Sequence, residues 1–146
     1  MCIKTTIKSS SEARLLLSFH SGRNPDVNNP KWTGGFLGAL RPFKKTLPEE
    51  NFHEIINCLK ALKDDFEAEQ ISRDVIADLW GICHLGRAWA LHKDGMLQSN
   101  NLITQEQIQT IEDWINIISH TVNNLLDGQG DEAFWEYEEY VQRGGA

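Results

Sequence analysis

The chain lacks any paired set of cysteines. Its three, Cys2, Cys58 and Cys83 among 146 residues, make no disulfide framework. Cys58 and Cys83 fall within apolar helical patterns, where a free thiol acts as a small hydrophobe. That usage points to a reducing compartment, and the expected location is cytoplasmic. Long apolar runs are also missing. Nothing approaches the roughly 18 residues of a membrane span, and residues 13–17 form too short and interrupted a run for a signal peptide. No membrane partner is expected. The last third has almost no positive charge: residues 94–142 hold ten Asp/Glu and no Lys or Arg. Residues 1–45 hold eight Lys/Arg and two Asp/Glu. The net charge of −7 therefore hides a strong polarity, which bears on partners and association rather than on fold.

Motifs of catalysis and ligation are absent too. The histidines are His20, His53, His84, His92 and His120. None belongs to a His-x-x-x-His pair, and Glu50-x-x-His53 is a single Glu-x-x-His where the metal-holding bundles use two. His53 and Glu54 are adjacent and so diverge by about 100° on a helix. There is no nucleophile elbow, phosphate-binding loop or Gly-x-Gly-x-x-Gly. No metal, cofactor or catalytic residue is expected. Ser18, His20 and Ser21, with Asp26 to orient the histidine, are the only local nucleophile–base candidates. They leave one alternative open: a small hydrolase or ligand-binding protein using residues 18–26. Cys83 and His84 are neighbours that point in different directions, so the thiol reads as buried and the histidine as a packed, hydrogen-bonded group.

The patterns that are present specify helices. The size suits one domain, 1–146. Its 40% apolar and 24% charged residues suit a globular core. Residues 72–91, SRDVIADLWGICHLGRAWAL, contain no proline and are apolar round most of a helical projection. Ala77, Gly81, Ala88 and His84 fill the remaining arc. Such a helix reads as buried, with the small residues admitting another backbone and His84 marking a close crossing. Thr46-Leu47-Pro48-Glu49 has capping-box form before a stripe of Phe52, Ile55, Ile56, Leu59 and Leu62. Thr104 to Gln107 forms a second box before Ile108, Ile111, Ile115, Ile118, Val122 and Leu125. Asp127 and Gly128 stop that helix. Residues 10–20 fit a helix capped by Ser11 and also a strand alternating Leu15, Leu17 and Phe19; the all-helical remainder favours the helix. Residues 1–9 are weakly strand-like. Residues 21–35 read as a loop pinned by Trp32, and 35–40 as a short helix ended before Pro42. The expected fold is an all-α, single-domain bundle of four to six helices around a buried central helix at 72–91.

The most specific surface signal is at the C-terminal end. On a helix from 131 to about 143, Phe134, Tyr137 and Val141 share a docking face, extended by Ala133 and Tyr140. Trp135 stands on the other side among Asp131, Glu132, Glu136 and Glu139, with Asp127 nearby. An aromatic anchor ringed by polar groups is typical of a binding hot spot. Lys31, Trp32, Arg41, Lys44 and Lys45 combine cations with an aromatic, yet the acidic segment of the same small domain argues against nucleic acid. The basic and acidic regions instead suit mutual neutralisation, within the fold or between subunits. In size, acidity and lack of catalytic motifs, and in the acidic-aromatic segment 127–140, the chain resembles the immunity proteins that neutralise bacterial toxins. That resemblance implies a non-enzymatic, cytoplasmic binding protein with a basic partner such as a nuclease toxin. Asp127, Asp131, Glu132, Trp135, Glu136 and Glu139 are the expected partner-binding residues. The alternative partner is a second copy of the chain, in a helical homo-oligomer.

Overall fold

The structure is a computed structural model that describes residues 7 and 9–144. The strand-like reading of residues 1–9 falls mostly outside the described residues. Every regular element described is helical. They run α1 (Ser10–His20), α2 (Pro30–Thr33), α3 (Glu49–Ala61), α4 (Lys63–Glu67), α5 (Arg73–Gly86), α6 (Met96–Ser99), α7 (Gln105–Leu126) and α8 (Trp135–Gln142). A π-helical turn, Arg87–Leu91, continues α5, and a 3-10 turn, Gly130–Glu132, leads into α8. Five of the helices are eight residues or longer. The rest are single turns, so the all-α bundle is as expected.

One continuous core joins these elements. α7 sits at its centre and packs against α3, α4, α5 and α8, while α1 lies across α3 and α5. On α7 the side chains of Ile111, Ile115 and Ile118, spaced four and three apart, are fully buried. Each such burial stabilises by about 1.5–3 kcal/mol. Phe52 of α3 stacks on Trp114 of α7 at 5.6 Å between ring centroids, and meets Tyr137 and Tyr140 of α8 edge-on at 5.6 and 5.5 Å. Trp114 Nε1–H donates to the Tyr140 hydroxyl at 3.1 Å. This aromatic cluster seats the predicted docking face of α8, with Ala133 and Tyr137 buried and Phe134, Tyr140 and Val141 packed against the core.

The helix ends follow local chemistry. Thr104 and Gln107 form the reciprocal capping box of α7, and Ser72 Oγ accepts from the Val75 N–H at the start of α5. Gly128, at φ +76°, stops the chain after α7 in the left-handed region. α1 is a helix, with Ser9 rather than Ser11 as its cap. Two boundaries differ from expectation. Thr46 does not cap α3, which begins at Glu49 after Pro48. A residue before proline is disfavoured in the α region, so Leu47 cannot supply the first helical turn that a cap at Thr46 needs. Residues 35–40 are turns, and the helical turn lies earlier, at α2. There the Asn29 side chain accepts from the Lys31 N–H, with Pro30 at the first helical position. A Cβ on Gly38 would stand 2.2 Å from the Trp32 carbonyl oxygen, so this fold-back of the chain requires glycine.

The larger correction concerns residues 72–91. They do not form a helix buried all round. Val75, Asp78, Leu79, Ile82, Cys83 and Gly86 face inward, but Trp80 is 73% exposed and His84 is exposed. Gly81 has nothing within 4 Å of where a Cβ would stand. The small-residue arc therefore faces open space, and among the described residues no helix crosses at His84. The close approach is at Gly86, where a Cβ would lie 2.8 Å from Ile115 Cδ1. Apolar composition overstates the buried arc because it includes Trp80, which stands in solvent.

Candidate functional site

Three surfaces hold the residues that carry chemistry. The first is the acidic face of α8. Trp135 is 53% exposed and lies on the side of α8 away from the aromatic cluster. Glu138, Glu139 and Gln142 share its face at i+3, i+4 and i+7 and are exposed. The expected partner-binding residues divide here. Glu132 and Glu139 are exposed on this side. Asp131 is tied to Lys63 Nζ at 2.9 Å, an ion pair that lowers the carboxyl pKa and raises that of the ammonium. Glu136 Oε1 lies 2.7 Å from His120 Nδ1, which fastens α8 to α7. Asp127 ends α7 and accepts from the Gln129 side chain at 3.0 Å. Asp131 and Glu136 thus also hold the helix in place.

The second surface is the 18–26 segment. His20 is 2% exposed at the end of α1. The Phe36 N–H donates to its Nδ1 at 3.0 Å, which leaves Nε2–H to donate to Glu54 Oε1 at 2.8 Å. This hydrogen bond holds the Glu54 carboxyl below its ordinary range. Asp26 is exposed and bonded to Asn29 Nδ2 at 3.2 Å. Ser18 Oγ donates to the Leu15 carbonyl at 2.6 Å and accepts from Asn24 Nδ2. Ser18, His20 and Asp26 therefore have separate partners and do not converge. Ser21 Oγ donates to Asp78 Oδ1 at 2.8 Å, and Arg23 Nη1 donates to the same oxygen at 2.9 Å. Asp78, 2% exposed, thus ties the loop to α5. Arg23, also bonded to Asp74, has a raised pKa.

The basic N-terminal third pairs with the middle of the chain. Arg14 meets Asp65 at 3.4 Å, and Arg23 meets Asp74 and Asp78. Among the described residues no ion pair joins residues 1–45 to 94–142. Among the described residues the expected neutralisation within the fold is not made by ion pairs between these two regions. Of the basic residues weighed for nucleic acid, Arg41 stacks over Trp89 at 5.6 Å.

The third surface, missed in the sequence, is a groove of about 410 Å³ between α5 and α7. Trp80 and Leu126 stand exposed beside it. Leu79, Cys83 and Val122 line it, and Arg87, His84 and His92 supply its polar side. Burial pushes the Cys83 thiol up to about 11, so it is not a thiolate nucleophile. The one signal in the sequence is His84, a polar group on the small-residue arc of an otherwise apolar helix. Among the described residues no helix is long and apolar enough to cross a membrane. No family model matches this chain, and no curated protein or solved structure matches it either.

Proposed function

We propose that this chain is a non-enzymatic binding protein that engages a basic protein through the acidic face of α8. The observation that carries the reading is Trp135. Its helix is already seated by Tyr137, Tyr140 and Phe134, so the core does not need the indole. It stands half-exposed, with Glu138 and Glu139 beside it on the same face. A large amphipathic side chain within a ring of polar groups is the usual anatomy of an interface anchor. Among the described residues no basic side chain of residues 1–45 makes an ion pair with the surrounding acids, and a negative field speeds encounter with a cationic partner. This is the chemistry expected of an immunity protein that neutralises a basic toxin domain such as a nuclease, with Glu132, Trp135 and Glu139 at the contact.

The test is capture from a lysate of the source cell at low salt, with wild type and Trp135→Ala side by side. The expected result is one basic protein retained by wild type, released by added salt and lost with the variant. Equal recovery with both proteins would remove Trp135, and with it this reading.

A further inference from the structure

We infer that the groove between α5 and α7 binds a small organic anion with an apolar body, of the class of medium-chain or aryl carboxylates. Its volume of about 410 Å³ falls in the range of small-molecule sites. Trp80 and Leu126 border it as large apolar side chains left in water. An indole offers on the order of 150–250 Å² for burial, so an alkyl or aryl body laid along this wall removes apolar surface from water on both sides.

Charge decides the head group. The chain carries −7, yet among the described residues no carboxylate lines the groove. Its ionisable lining groups, Cys83 apart, are Arg87, His84 and His92. Arg87 makes no ion pair among the described residues, and its bond to Asn116 Oδ1 is long, at 3.5 Å. A guanidinium free to make a forked pair is suited to a carboxylate. Ser119 and Asn123 add neutral hydrogen-bonding groups on the α7 side. A cationic amphiphile would meet Arg87 with like charge.

The backbone at this corner is specially built. α5 widens into the π turn Arg87–Leu91, closed by the His92 N–H bonding the Arg87 carbonyl at 3.0 Å. π turns within helices are frequent at functional sites. This one is braced, because Gln98 Nε2 donates to the Ala90 and Leu91 carbonyls at 2.8 and 3.0 Å. The brace holds the turn that carries Arg87 and Ala88 at the groove.

Decanoate, below its micellar concentration, is the probe. Decanol and decyltrimethylammonium are its neutral and cationic controls with the same tail. Binding is followed by amide and indole NMR shifts and by calorimetry. Decanoate should shift Trp80, Ala88, Ser119 and Asn123 and bind more tightly than decanol, while the cation should not bind. Arg87→Gln should weaken decanoate roughly tenfold and leave decanol within about twofold. Val122→Trp should fill the groove and abolish both; Leu126→Trp, on the exposed side, replaces it if the first variant fails to fold. No binding of decanoate, shifts confined to other surfaces, equal binding of the cation, or an unchanged decanoate affinity in Arg87→Gln would each overturn the inference.

Discussion

Replacing the two glycines of α5 by alanine, one at a time, should move stability in opposite directions. Both have helical neighbours on either side, where alanine is favoured over glycine by about 0.8–1 kcal/mol. At Gly81 a new methyl group meets nothing within 4 Å. The propensity gain should appear almost whole, as about 0.5–1 kcal/mol of added stability. At Gly86 the methyl would stand 2.8 Å from Ile115 Cδ1 and 3.7 Å from the Phe36 ring. Ile115 and Phe36 are both buried, so the isoleucine can yield only by leaving its rotamer or pushing its neighbours. Overpacking of this kind costs about 1–3 kcal/mol. After the propensity gain, a net loss of up to about 2 kcal/mol remains. For a domain of this size each kcal/mol shifts Tm by about 2–4 °C. Urea denaturation with unchanged m, together with thermal melts, measures both changes. If Gly81→Ala lowered stability, a neighbour would have to lie against that arc, as the close-crossing reading held, and the exposed face of α5 would be wrong.

Three further results are expected. Glu54 has a folded-state pKa below its ordinary value, with the His20 hydrogen bond as first cause. Its contribution is therefore present above the unfolded pKa and lost as pH falls through the folded one. Wild type should lose more stability than Glu54→Gln on acidification below about pH 4.5, and parallel profiles would count against the pair. Asp78→Ala removes the acceptor of Ser21 and Arg23, but the half-exposed Arg23 can turn to water. The cost by urea denaturation should be about 1–2 kcal/mol rather than the 3–5 kcal/mol of a fully buried broken pair. In a Cys2→Ser/Cys83→Ser background, Cys58, whose thiol is pushed up by burial, should react with a thiol reagent near neutral pH only after denaturant is added. Rapid labelling of the native protein would show that this site opens.

The helices were legible where period and end signals agreed. Residues 104–128 carry a capping box, an isoleucine stripe and a stop glycine, and α7 follows them closely. Apolar content without a clean polar stripe was ambiguous. Trp80 looked like core on residues 72–91, but the fold leaves no element to cover it. The cap expected at Thr46 failed because the conformational limit that Pro48 places on Leu47 outweighed the side-chain pattern. The exposed Trp135 and the seated face of α8 were readable from helical spacing alone. The ties of Asp131 to Lys63 and of Glu136 to His120 were not, since each joins residues far apart in sequence. The groove escaped for the same reason: it exists only where residues 76–92 of one segment meet 119–126 of another.

The measurement that bears most directly on the account is the affinity of the purified, captured basic protein for wild type, Trp135→Ala and Glu132→Gln/Glu139→Gln. An interface anchored on the indole predicts a loss of at least about thirtyfold for Trp135→Ala, the mark of a hot-spot residue. The double charge variant should bind more slowly and with a flatter salt dependence. Dissociation constants within twofold of one another for all three proteins would place the contact elsewhere and contradict the account.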